Sequence, residues 1–286
     1  MSTRRGGVPK PGTWWHSIVP MMQDRSHSDF GAGEVRHDVV TQAPLDRLAA
    51  LLDRDAGLAF PPLGHWLFTL LDAPQSALGD DGHPAHGLVV PPPGLPRRMW
   101  AGSRIALPGV LRPGDDLERR STLASVVDKG AMTFVTVRHE IRAAGTLAVV
   151  EEQDLVYLPA RTGPDTAPPR AVAVPEAASA RVVTADAAML FRFSALTFNA
   201  HRIHYDRDYA QGVEHYPGLV VHGPLLATLL VDDALRLHPG GRVVRFDFRA
   251  RSPVFDGERF ELCSAGDTLW VRTAAGIAMT AEIAFA

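Results

Sequence analysis

Cysteine is nearly absent from the 286-residue chain: Cys263 is the only one. A single thiol closes no intrachain disulfide and builds no cysteine-rich metal centre, and it fits a reducing, cytoplasmic compartment. Charge of one sign is also missing. The 29 Lys and Arg and 32 Asp and Glu leave a net charge of −3, and the basic residues form only short pairs such as Arg4-Arg5 and Arg119-Arg120. Without a basic stripe to meet phosphates, nucleic acid is not an expected partner. Long apolar runs are lacking as well. The longest, residues 219–231, is interrupted by His222 and falls short of the ~20 residues that cross a bilayer, so no membrane is expected. The first 20 residues have no apolar core of roughly 7–15 residues, and a secretory signal is not expected there.

What is present is ample material for a core, 46% hydrophobic, in a chain long enough for one large domain or two ordinary ones. From Pro159 to Arg181 the sequence turns to PARTGPDTAPPRAVAVPEAASAR, whose five prolines and many alanines leave little to bury. Residues 161–181 read as a linker between domains at 1–160 and 182–286. The two segments echo each other. PGVLRPGDDLE (108–118) and PVFDGERFE (253–261) each place a glycine turn, Gly114 or Gly257, between an apolar start and an apolar-acidic pair. Repetition at equivalent places suggests duplication of one unit.

Strand-like alternation follows each echo, in MTFVTVRHEI (132–141) and TLWVRTA (268–274). An apolar helical candidate precedes each: HWLFTLLD (65–72) and GPLLATLLVDDAL (223–235), the latter with Leu225, Leu226, Leu229 and Leu230 on one stripe. An apolar helix followed by alternating strands is what a sheet wrapped around a central helix requires, so the expected class is α+β, twice over.

Chemistry concentrates in FSALTFNAHRIHYDRDYA (193–210), where His201 and His204 share a face if the segment is helical. His204 to Ala210, HYDRDYA, resembles the H-x-D-x-x-[YF]-A segment of the MaoC-like (R)-specific enoyl-CoA hydratases. Val221-His222-Gly223 resembles their second signature, and FDFR (246–249) with SPVFDG (252–257) resembles their closing strand, turn and strand. In the first half, LPRRMWAG (95–102) and VVEEQD (149–154) are similar to segments of double-hot-dog hydratases that act on branched dicarboxylic acyl-CoA esters, the mesaconyl-C4-CoA and itaconyl-CoA hydratases.

The resemblance implies a double hot-dog fold, with a non-catalytic, dehydratase-like amino half and a catalytic carboxyl half. It implies reversible hydration of itaconyl-CoA or mesaconyl-C4-CoA to citramalyl-CoA. No metal and no redox cofactor is called for, since coenzyme A belongs to the substrate. The sequence leaves open which isomer is preferred, whether the carrier is coenzyme A or acyl carrier protein, and whether the chain forms a homo-oligomer. The chain departs from the family at one place. Set on G-D-x-N-P-[LIV]-H, the usual catalytic aspartate falls on Asn199, the asparagine on His201 and the proline on Arg202.

An amide cannot take a proton at neutral pH, so His204 is the expected base and Asn199 the group that orients the water. Gly223 would offer its N–H to the enolate oxygen at a helix start, with Pro224 beside it. Arg97, Arg98 and Arg202 are candidates for a substrate carboxylate, Trp100 for the acyl or pantetheine chain, and His222 for a further substrate contact. Each residue also has a structural reading: Asn199 as a cap, the arginines as a solvated edge, the histidines as core. Three alternatives of other kinds stay open. One is a general 3-hydroxyacyl-thioester dehydratase or (R)-enoyl-CoA hydratase, and another a non-catalytic thioester-binding module. The third is a zinc site of His201, His204, His215 and His222, which lacks the H-E-x-x-H pattern.

Overall fold

The computed structural model describes residues 33–57, 59–85, 87–88, 94–164 and 171–286; the opening 20 residues and part of the expected linker lie outside them. In the amino half, β1 (Glu34–Val39) and helix α1 (Gln42–Leu51) precede β2 (Arg97–Ala106), β3 (Asp116–Lys129), β4 (Met132–Ala143) and β5 (Thr146–Leu158). The carboxyl half runs β6 (Ser179–Thr184), α2 (Ala187–Thr197), α3 (Arg207–Gly212) and α4 (Gly223–Leu237). It closes with β7 (Val243–Ala250), β8 (Arg259–Ala265), β9 (Thr268–Thr273) and β10 (Gly276–Phe285). Strand β6 begins inside the stretch read as linker.

All ten strands form one antiparallel sheet in the order β1-β3-β4-β5-β2-β7-β10-β9-β8-β6. Read from the centre outward the order is the same in both halves, as a duplication requires. The echoed turns coincide in detail. Gly114 and Gly257 both adopt positive φ, and their amides donate at 2.8 Å to Val40 O and Ala185 O, the residues that follow β1 and β6. Only glycine takes such a φ without strain. The halves join along β2 and β7, from Gly102 opposite Arg249 to Ala106 opposite Arg245. This is the double hot-dog fold expected from the resemblance.

Helix α4 is the core of the carboxyl half. Every residue from Pro224 to Asp233 is buried, because apolar side chains occur all round it and the sheet curves about it. Arg54, Arg236 and Arg181 neutralise the acidic pair Asp232 and Asp233 that ends its apolar run.

The helix expected at 65–72 does not form. The chain makes a single 3₁₀ turn, Gly64–Leu67, and Thr69 then takes positive φ with its amide bonded to Asp38 Oδ2 at 2.7 Å. Eight residues hold a helix only with tertiary support, and here buried His65 is instead drawn to Glu151. The helix of the amino half is α1. Among the described residues nothing in that half matches α4.

Candidate active site

Helix α2 starts at Asp186, which caps it by accepting from Met189 N at 2.8 Å, and ends where Phe198 turns left-handed at φ 49°. Asn199 follows, and its Oδ1 accepts from the His201 amide at 3.0 Å, the local turn that asparagine makes readily. Residues 202–204 then form a 3₁₀ turn rather than an α-helix. Three residues per turn still place positions three apart on one side, and the His201 and His204 rings lie 5.3 Å apart, edge to face. Asp206 caps α3 by accepting from Tyr209 N, while Tyr209 and Ala210 are buried. Most of the HYDRDYA motif therefore holds the loop, while His204 and Tyr205 reach the wall of an open space.

That space is a cavity of about 980 Å³, on whose wall His204, His201, Asn199, Gly223, Trp100 and Arg98 all lie. The His204 ring Nδ1 lies 2.7 Å from Val220 O, which fixes that nitrogen as N–H donor and leaves Nε2 as acceptor. Burial pushes the His204 pKa down to about 4, against the opposing bond to Val220. His222 stacks on it at 3.6 Å and 20°, with Nε2 2.8 Å from Ser194 Oγ. Burial likewise carries His201 and His222 well below the ordinary imidazole range. The site thus presents neutral imidazoles.

Gly223 opens α4, and its N–H has no acceptor among the described residues. A Cβ there would meet only Trp100 O, at 3.8 Å. Trp100 packs against Trp66 at 5.2 Å and donates from Nε1 to Ser103 Oγ at 3.0 Å.

The three arginines separate. Successive strand residues point to opposite faces, and Arg97 binds Glu214 and Tyr216 while Arg98 reaches the cavity without an ion pair among the described residues. Arg202 is also occupied elsewhere, pairing with Asp206 at 2.8 Å and lying over the Tyr209 ring. His222, expected to touch substrate, is fully buried behind His204. The imagined zinc cluster does not assemble: stacked His204 and His222 rings cannot point their in-plane lone pairs at one ion, and His215 sits away from the cavity wall.

Two acidic features went unread in the sequence. Glu151 of VVEEQD is buried and accepts from Ser103 Oγ, Trp66 Nε1 and His65. Burial raises its pKa, but the His65 and Ser103 partners outweigh this and hold it at about 2. Asp81 and His83, from the amino half, lie beside His201, with the His83 and His201 rings 4.2 Å apart. One candidate ligand atom each of Asp81, His83 and His201 falls within 4.8 Å of the others, close enough to meet a cation, although the Asp81 carboxylate is already matched by the His83 ring.

Residues 63–256 match the family model described as hydroxyacyl-thioester dehydratase type 2. Over 244 residues the chain is 44% identical to the mesaconyl-C(4)-CoA hydratase of Chloroflexus aurantiacus, covering 82% of this chain and 86% of the relative. It is 29% identical over 284 residues to the mitochondrial hydroxyacyl-thioester dehydratase type 2 of Schizosaccharomyces pombe, covering 85% and 93%. A MaoC-like dehydratase from Phytophthora capsici shares the fold at a TM-score of 0.64 and 13% identity, over 89% of this chain and 96% of that one.

Proposed function

The chain belongs to the hydroxyacyl-thioester dehydratase type 2 family and is a hydro-lyase acting on acyl thioesters, and from that premise we propose that it reversibly hydrates a branched, unsaturated dicarboxylic acyl-CoA. Itaconyl-CoA and mesaconyl-C4-CoA are the substrates that fit, with citramalyl-CoA as product. The observation that carries this reading is Arg98: a cavity-facing guanidinium with no direct ion pair among the described residues, close enough to His83 and His201 for its charge to depress both pKa values and near enough to Asp81 to help hold that carboxylate ionised. A carboxylate a few bonds from the reacting alkene would be met there by a two-pronged partner.

With mesaconyl-C4-CoA, whose alkene is conjugated with the thioester, a water oxygen bonds to Cβ, and its proton passes to Nε2 of neutral His204. The displaced π electrons move to the thioester oxygen, where the Gly223 N–H and the positive end of α4 stabilise the enolate. The proton then returns from His204 to Cα, completing the addition of water. Trp100 packs along the acyl chain. Asn199 sets the loop through its bond to the His201 amide.

Parallel assays with itaconyl-CoA, mesaconyl-C4-CoA and crotonyl-CoA test the substrate class. A dicarboxylic ester should be preferred, and Arg98→Met should cost that ester ~10- to 100-fold in kcat/KM while sparing crotonyl-CoA. A second reading, a general 3-hydroxyacyl-thioester dehydratase, draws on the Schizosaccharomyces pombe relative. Preference for crotonyl-CoA would favour it.

A further inference from the structure

The amino half sends one tight loop, Gly79-Asp80-Asp81-Gly82-His83-Pro84, into the site of the other half. Gly82 N donates to Gly79 O at 2.9 Å, Gly79 N to His83 O at 2.7 Å, and Leu78 bridges Pro84. The loop is docked on the segment that carries His204. Arg202 N donates to Asp81 O at 2.9 Å and Arg202 Nη1 to Asp80 O at 3.0 Å. Gly82 adopts φ 87°, and a Cβ on it would fall 1.9 Å from Ala200 O. No side chain fits there, so the glycine is what lets the two backbones touch.

The docking presents a carboxylate-imidazole pair. Asp81 accepts from the His83 amide at 2.9 Å and from the ring Nδ1 at 2.8 Å. With Nδ1 as donor, Nε2 of His83 is an acceptor, the same tautomer that Val220 imposes on His204. Both histidines lie on the cavity wall, with the His201 ring 4.2 Å from His83 and 5.3 Å from His204. In the family motif an aspartate would stand at position 199. Here an amide replaces it, which cannot take a proton, and one of the two lone pairs on its oxygen already accepts from a backbone N–H.

We propose that His83, oriented by Asp81, is the second water-accepting group of the active site, supplied by the amino half in place of the missing aspartate. The attacking water gives one hydrogen to His204, which returns it to Cα. The other stays on oxygen as the product hydroxyl and points at His83 Nε2 throughout, so His83 ends each turnover in its starting protonation state. Burial and the Arg98 charge push the His83 pKa down, against Asp81, which suits a neutral acceptor. Asp81 is a positioning residue, acting through the ring it holds.

This inference rests on the hydration reading, and its test separates the two. Hydration of mesaconyl-C4-CoA and crotonyl-CoA is followed by loss of the conjugated-thioester absorbance, and that of itaconyl-CoA, whose alkene is not conjugated with the thioester, by chromatography of the product, with circular dichroism and thermal melting as checks on folding. His83→Ala should lower kcat ~10²-fold or more, the usual worth of a positioned proton-handling group, with KM within about threefold of wild type. Added imidazole should restore part of the rate, which it would not do for a merely structural ring. Gly82→Ala, which keeps His83 but lifts the loop off Ala200, should lose kcat similarly. Asp81→Asn should lose less and shift the pH profile. Near-normal kcat in a folded His83→Ala protein overturns the inference while leaving the hydratase reading intact. Wild-type protein that hydrates none of the three esters sinks that reading first. Stoichiometric zinc that disappears on His83→Ala substitution would also overturn the inference, making the cluster a metal centre.

Discussion

Three imidazoles, His201, His204 and His222, stand in ring contact inside the carboxyl half, and protonating any of them puts charge against buried neighbours. A folded-state pKa below the unfolded value means that the unfolded chain binds more protons between the two, so stability rises with pH across that window. For His204 the window runs from about 4 to the ordinary 6.5. Denaturant midpoints should therefore fall as pH drops through this range, while the acid limb of kcat/KM should lie near 4 rather than 6.5. At Gly223 the open space predicts that Gly223→Val folds, since a Cβ meets nothing closer than 3.8 Å. Its branches would stand before the helix amides, and kcat should drop ~10²- to 10³-fold, as for loss of one oxyanion donor. The place of His204 on the cavity wall was legible in the sequence because its motif is local. His83 was not, because its partners lie in the other half and no spacing rule links GDDGHP to FNAHRIH.

Elements differ in how far their residues dictate them. Helix α4 was readable because its apolar side chains recur at helical spacing, and Pro224 starts it where a missing N–H costs nothing. Leu225→Ala should cost about 2–5 kcal/mol, the range for a buried leucine whose cavity cannot collapse, measured by denaturant unfolding. The segment at 65–72 misled by the same periodicity. Its histidine and tryptophan are claimed by Glu151 across the fold, and a long-range polar contact leaves no mark on a local pattern. The arginines make the same point at smaller range. Arg97-Arg98-Met99-Trp100 reads as one basic cluster until β2 sends alternate side chains to opposite faces.

As a whole molecule, the protein is a duplicated sheet fused along one seam. Duplication was visible in two glycine turns and the fused pair was implied by the family resemblance, but the seam itself was not legible, because β2 and β7 pair across more than a hundred intervening residues that carry no record of it. At the seam Gly102 lies so close to Phe248 O that a Cβ would come within 2.3 Å. Gly102→Ala should lower the melting temperature by several degrees, an overpacking cost of roughly 1–3 kcal/mol. Because one sheet runs through both halves, calorimetry should show a single unfolding transition; two separated transitions would mean that the halves are independent. The proposed site depends on the same union: the carboxyl half brings His204 and Gly223 to the cavity, and the amino half brings Arg98 and His83.

The measurement closest to the centre of this account is the hydration rate of mesaconyl-C4-CoA by His204→Ala beside the wild-type chain, at pH 7 and matched folding. The account predicts a fall of ~10²-fold or more, the usual worth of a general base. A variant that hydrates the ester at near the wild-type rate would show that the Nε2 facing the cavity takes no proton from water, and the mechanism would have to be built on another group.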